Sequence, residues 1–376
     1  MSKKIYTGIG LVVICFLTLE LSIFLFSKTS FGKSRLRGNI PGYSLDNINK
    51  KFWGEYNARF GVWHTPNSSY KHTKSCFQVV YQANFYGAND IPRIIKSKKE
   101  RVLILGDSFM EGYGLAREKR LSNLLEKETG TEHLNFALSG YFGTTQYYLV
   151  YKHLAKNFSH NKVLIGILPY NDFQDNDLQV GKIIHAQEYR PYFVGDYPNY
   201  ELMYHVDSIY SAKQRDSSYE AGLIKLIMEF SFTSNAIKLI IEEISYRMAS
   251  YDDPNNPYAL LKTKGLPFSG YYEFREKDFQ LMRFTLEKIL AEAEGKEIVI
   301  ALLPTMQDLM LYSKYGDAPL AKRFRQFSQE TGVKVIDLLP YMHDYTKDWD
   351  KYYFPCDYHW NAYGNQVASE YLLNKM

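Results

Sequence analysis

The chemistry-bearing part of this chain begins at Gly106-Asp107-Ser108-Phe109, which follows a short apolar run and precedes a stretch of helical pattern. On a tight strand-to-helix turn a serine hydroxyl projects and its own N–H points outward near a helix N-terminus, which is a nucleophile's position. The same triplet by itself also fits an N-cap serine beside a turn glycine. A hydroxyl is a weak nucleophile at neutral pH. It needs an imidazole to take its proton and a carboxylate on the other ring nitrogen to fix the tautomer. Asp357-Tyr358-His359, ahead of the last helical stretch, supplies both groups two positions apart. Acyl transfer further requires donors for an oxyanion. The Ser108 N–H is one, Gly140 in ALSGYFG offers an unobstructed backbone N–H, and Asn171 in LPYND offers a side-chain amide. Each of these alone reads as a turn residue.

The surrounding pattern gives them positions. Apolar, β-branched runs at 101–105, 133–138 and 162–168 alternate with helical stretches at 116–129 and 144–156. The alternation resumes with a helix at 277–293, a strand at 296–302, a helix at 318–331, a strand at 333–338 and a last helix at 361–374. Such alternation predicts βαβ units and a parallel sheet between helical layers. Ligands of an open parallel sheet bind beyond the carboxyl ends of its strands. Ser108, Gly140 and Asn171 each follow a strand, and His359 precedes the closing helix, so four complementary elements fall at the same edge.

In that order and context the blocks resemble those of the SGNH (GDSL-like) hydrolase superfamily, of a membrane-anchored bacterial type. The resemblance covers roughly residues 101–172 and 277–376 and is most specific in GDSF with Gly112 and in DYHWNAYG. It implies a three-layer αβα sandwich of flavodoxin-like order, with Ser108 as nucleophile, His359 as general base and acid, and Asp357 as its orienting partner. Ser108, Gly140 and Asn171 become the oxyanion donors. Two departures stand out: Pro169 replaces the glycine usual in the third block, and Asp-x-His replaces the commoner Asp-x-x-His, a form resembling membrane-associated bacterial enzymes that modify glycans. The implied activity is a cofactor-free, serine-dependent hydrolysis of O-acyl esters, chiefly O-acetyl esters of a cell-envelope carbohydrate, through an acyl-serine. The same constellation serves an O-acetyltransferase that passes the acyl group to a glycan hydroxyl. A catalytically silent glycan-binding or scaffolding envelope protein is the rival from another class, and the filling of all five functional positions argues against it.

The remainder of the chain sets the context. Its 45 Lys and Arg against 41 Asp and Glu leave a net charge of +4, too balanced for a nucleic-acid footprint. The 33 tyrosines suit amphipathic surfaces that stack on polar ligands, and equally the core and rim of a large α/β domain. Cys15, Cys76 and Cys356 show no CxxC spacing, and no HExxH occurs, so no zinc site is expected. Cys76 and Cys356 are the one pair outside the apolar N-terminus that could form a disulfide. Asp172, Asp175 and Asp177 lack the spacing and glycine of a calcium loop.

Residues 1–27 read as a short cytoplasmic tail and an uncleaved transmembrane anchor, because the apolar run from Ile5 to about Ser27 is long enough to span a bilayer and has no A-x-A cleavage pattern. Glu20 within it is expected to snorkel towards the far end or to be protonated. Lys28, Lys33, Arg35 and Arg37 follow the span and do not favour export, but long domains translocate largely regardless of charge, and the catalytic domain is placed outside the cytoplasm. Residues 28–98 read as an irregular lead-in with short strands, and 99–376 as the hydrolase domain with an insertion at about 173–275. The insertion, with Ile237, Leu239, Ile240, Ile241, Ile244 and Met248 partly at helical spacing, is expected to cap the active edge of the sheet, membrane contact being the second use of its apolar face.

Overall fold

Short runs that are apolar along most of their interior cannot stand with one face in water; they are stable only as parallel strands covered on both sides. A computed structural model shows this arrangement and describes residues 3–29, 52–74, 76–140, 142–184, 188–205, 231–237, 240–241 and 269–376. The strands are β1 (Trp53–Asn57), β2 (Gly61–His64), β3 (Ser69–Lys74), β4 (Phe77–Gln82), β5 (Arg101–Leu105), β6 (Glu132–Asn135), β7 (Lys162–Ile167), β8 (Arg190–Asp196), β9 (Asn199–His205), β10 (Glu297–Leu302) and β11 (Lys334–Asp337). The central sheet has five strands in the order β6-β5-β7-β10-β11, all parallel. This is the doubly wound order 2-1-3-4-5, and its parallel pairing is what the alternation leads one to expect. Val102–Leu105, Val163–Ile167 and Ile298–Leu302 are buried along their whole length.

Helices Thr144–His153 and Glu276–Glu292 pack together in one layer, and Leu121–Thr129 with Ala362–Lys375 in the other. Pro319–Thr331 shows how the sequence makes such a layer: Leu320, Ala321, Phe324 and Phe327 recur along one stripe and are buried, Pro319 opens the helix and Gly332 closes it in the left-handed region. The sequence boundaries hold with local differences. The stretch at 116–129 is split into a 3-10 turn, Arg117–Lys119, and the helix Leu121–Thr129. The strand expected at 133–138 ends at Asn135, whose side-chain oxygen accepts the Ala137 N–H at 3.0 Å and turns the chain. Among the helices not foreseen, Met306–Tyr315 and Leu338–Tyr345 begin on the side-chain caps of Thr305 and Asp337.

The lead-in forms two hairpins, β1-β2 and β3-β4, with a small core of their own around Phe52, Val79, Tyr81 and Ala83. Phe60 and Trp63 join the main core. The insertion supplies a third hairpin, β8-β9, held near helices Thr144–His153 and Leu178–Ile184 and strand β2. Part of its apolar segment is described, and it meets the N-terminal helix. Ser231, Phe232 and Thr233 bond to Glu20 of the N-terminal helix Lys3–Lys28; Leu239, Ile244 and Met248, with residues 206–230 and 242–268, lie outside the described residues. Tyr6–Lys28 is long and apolar enough to cross a membrane.

Candidate active site

β5 ends at Leu105, and the chain turns through Gly106 and Asp107 into a single helical turn, Ser108–Glu111. The Asp107 carboxylate caps that turn by accepting the Phe109 N–H at 3.0 Å. Gly112, at φ 83°, closes it with its N–H on the Ser108 carbonyl, a left-handed position that favours glycine. Ser108 is thus fixed from both sides on a turn too short to drift.

His359 Nε2 lies 2.8 Å from Ser108 Oγ, and its Nδ1 bonds Asp357 Oδ1. Asp357 Oδ1 also accepts the His359 N–H at 3.2 Å. Tyr358 between them has φ 64°, and it is this left-handed residue that lets an Asp-x-His spacing fold both side chains to one side. The loop is tied by Phe354 N–H to the His359 carbonyl at 2.8 Å and by Tyr358 N–H to the Phe354 carbonyl at 2.8 Å. Asn361 then caps the closing helix through the Tyr363 and Gly364 N–H groups. A carboxylate on Nδ1 leaves the Nε2 lone pair directed at the serine hydroxyl.

The lead-in hairpin β3-β4 supports this triad, through a lysine that the sequence did not signal and through the one cysteine pair that it offered for a disulfide. Lys74 Nζ donates to Asp357 Oδ2 at 2.6 Å, and a Cys76–Cys356 disulfide joins the residue beside Asp357 to the same hairpin, with Cα atoms 5.8 Å apart. Burial opposes ionisation of Asp357, but the His359 and Lys74 charges and hydrogen bonds outweigh it and hold the carboxyl well below the usual carboxylate range. Tyr113 stacks on the His359 ring at 4.3 Å, and Phe109 meets it at 5.2 Å. His72 lies between the hydroxyls of Tyr81, at 3.2 Å, and Tyr113, at 3.4 Å. Burial, with the Lys74 cation, pushes its imidazole down to about 3, so at neutral pH it is an uncharged spacer behind Tyr113.

Gly140 and Asn171 follow β6 and β7, the two neighbours of β5, so parallel pairing brings their loops to the edge that carries Ser108. Gly140 has φ 106° and open space where a Cβ would stand: the backbone conformation, and no crowding, asks for glycine. The loop is anchored one residue earlier, because Ser139 donates both its N–H and its hydroxyl to Glu111 Oε2. Asn171 stands in the first turn of helix Pro169–Asn176. Burial pushes the Asp107 and Asp175 carboxyls up, and the nearby Asn171 side chain works against that rise in both. The departure at Pro169 is accommodated: proline occupies the first helical position, where its missing N–H costs nothing, and Gly270 packs directly on its backbone. Asp172 is structural, accepting the Leu168 N–H at 2.8 Å and the Tyr147 hydroxyl at 2.7 Å. Asp177 instead pairs with Arg275, and no cluster of metal-binding side chains occurs among the described residues.

Glu111 is the site residue that sequence reasoning missed. Fully buried, it accepts Trp53 Nε1–H at 3.3 Å, His64 Nε2–H at 3.1 Å and Asn89 Nδ2–H at 2.7 Å, besides the two Ser139 donors. His64 Nδ1 faces the Gly87 carbonyl at 2.7 Å, so both ring nitrogens meet acceptors. Burial alone would raise the Glu111 carboxyl; the His64 charge and these hydrogen bonds prevail and bring it down to about 2. Its place three residues after Ser108 was the only available signal.

No family model and no curated protein sequence matches the chain. Among solved structures it is similar to a member of the lipolytic protein G-D-S-L family from Veillonella parvula DSM 2008 (12% identity, 73% of this chain and 97% of that one, TM-score 0.37). It is also similar to a lipase/acylhydrolase from Enterococcus faecalis (10% identity, 73% and 94%, TM-score 0.35) and a GDSL-like lipase from Bacteroides thetaiotaomicron VPI-5482 (11% identity, 75% and 90%, TM-score 0.33). At these identities and scores, the chemistry of this chain rests on its own site.

Proposed function

We propose that this chain is a serine ester hydrolase of the SGNH type, carrying an N-terminal membrane anchor and acting on O-acyl, chiefly O-acetyl, esters of a cell-envelope carbohydrate. The observation that carries the reading is the continuous relay from Ser108 Oγ through His359 to Asp357. His359 Nε2 takes the hydroxyl proton as Ser108 Oγ attacks the ester carbonyl, and Asp357 stabilises the imidazolium that forms. The Ser108 and Gly140 N–H groups and the Asn171 amide are the proposed donors to the oxyanion. Collapse of the tetrahedral intermediate expels the alkoxide, which His359 protonates, and leaves an acyl-serine. A water then enters, His359 removes its proton, and a second collapse releases the carboxylic acid and restores the Ser108 hydroxyl.

The carbohydrate reading is supported by the aromatic surroundings of the triad, where Phe77 meets both Tyr113 and Phe354 within 6 Å, a surface type that stacks on polar rings. An extracytoplasmic catalytic domain is supported by the Cys76–Cys356 disulfide, since such bonds persist in oxidising compartments. Fluorophosphonate labelling of the detergent-solubilised full chain tests the core of the proposal: wild type is expected to label and Ser108→Ala to remain unlabelled, and equal labelling of the two refutes it. Acetate release from a panel of O-acetylated glycans tests the substrate class. Transfer of acetyl to an acceptor glycan without free acetate would reassign the enzyme as a transferase.

A further inference from the structure

Glu20 stands eight residues before Lys28 and fourteen after Tyr6 in the N-terminal helix. At a rise of 1.5 Å per residue this puts it about 12 Å below the Lys28 end of the apolar span and about 21 Å from the other end. In a bilayer that depth is hydrocarbon, which offers a carboxylate no hydrogen-bond donor.

The structure supplies donors from the insertion. The Ser231 hydroxyl and the Thr233 N–H, at 2.9 Å, bond Glu20 Oε1, and the Phe232 N–H bonds Oε2 at 2.8 Å. The backbone donors open the helical turns at 232–237, where N–H groups have no acceptor within the helix. Each partner therefore supplies what the other lacks, and in an apolar medium neither could be left alone. Phe24, one turn beyond Glu20, meets Phe232 edge to face at 5.3 Å, and Ser27, on the same side of the helix, is buried. On the outer side Ile237, Ile240 and Ile241 are each more than half exposed, an apolar surface that water would not favour beside a lipid-facing helix.

We propose that residues 231–237 and 240–241 enter the membrane beside the anchor, clamped to it through Glu20, and present Ile237, Ile240 and Ile241 to lipid acyl chains. This rests on the reading of Tyr6–Lys28 as a membrane span. The insertion leaves the sheet domain after the Asn171 helix and returns at Gly270 against Pro169, so the element tethers the Asn171 loop region to the bilayer as well as the N-terminus.

The test uses the full chain in phosphatidylcholine vesicles, in a Cys15→Ala background under non-reducing conditions. A nitroxide is attached to Ile237→Cys, with Leu17→Cys as the anchor reference and Lys119→Cys as the aqueous one. Relaxation by dissolved oxygen and by a water-soluble nickel chelate then reports depth. The Ile237 label is expected to match Leu17, favoured by oxygen and shielded from nickel. Adding Glu20→Leu is expected to raise its nickel accessibility at least fivefold. A nickel-accessible Ile237 label beside a shielded Leu17 label overturns this inference alone, whereas an accessible Leu17 label overturns the span itself. An Ile237 label that stays shielded in Glu20→Leu overturns the clamp.

Discussion

Replacing Glu111 by glutamine removes one charge at the junction of the serine turn, the Gly140 loop and the lead-in hairpins. Lowering the carboxyl from its ordinary 4.5 to about 2 corresponds, at about 1.4 kcal/mol for each pH unit, to about 3 kcal/mol of stability at neutral pH. Glutamine also turns an amide NH2 towards N–H donors on one side or the other, so at least one buried donor loses its acceptor. Because the folded-state value is depressed, the stabilisation is fully present above pH 4.5 and is lost as the pH falls from 4.5 towards 2. Urea unfolding of the detergent-solubilised full chain, followed by tryptophan fluorescence, should place Glu111→Gln about 3 kcal/mol below wild type at pH 7 and only about 1 kcal/mol below at pH 3. A gap below about 1 kcal/mol at pH 7, or one that does not narrow on acidification, would refute the reasoning.

The other expectations follow from the same geometry. Lys74→Met frees one oxygen of Asp357, and loss of a charge-assisted hydrogen bond worth about 1.5 kcal/mol predicts roughly a tenfold fall in kcat with little change in KM; Lys74→Arg should recover most of it, and a change confined to KM would place Lys74 in substrate binding instead. His359→Ala is expected to lower ester turnover by several orders of magnitude with an unchanged circular dichroism spectrum, and near-normal turnover would mean that the base lies elsewhere. Cys76→Ala with Cys356→Ala opens a covalent loop of 280 residues and should lower stability by about 2–5 kcal/mol, read from the urea midpoint; an unchanged midpoint would count against the bond as a constraint on the hairpin. A reporter fused after Met376 should be active only outside the cytoplasm, and activity only within it would reverse the proposed orientation.

Local pattern pointed to the sheet and to all five candidate site residues, Ser108, Gly140, Asn171, His359 and Asp357, with their loops. Short buried runs alternating with amphipathic stretches determine strand and helix independently of what they pack against, and a parallel sheet then sends every βα loop to one edge. That is why Ser108, Gly140 and Asn171 could be placed together from the sequence, and why the positions of Cys76 and Cys356 could be paired only as a possibility of composition. How Asp357 reaches His359 needed the tertiary structure, because two positions of separation serve the imidazole only when Tyr358 takes a left-handed turn, which no side-chain pattern announces. Lys74, Glu111 and the Glu20 contacts depend on segments 283, 22 to 58 and about 210 residues apart in sequence. Charges so distant leave no periodicity and no motif; burial and hydrogen bonding select them only once the chain has brought them together.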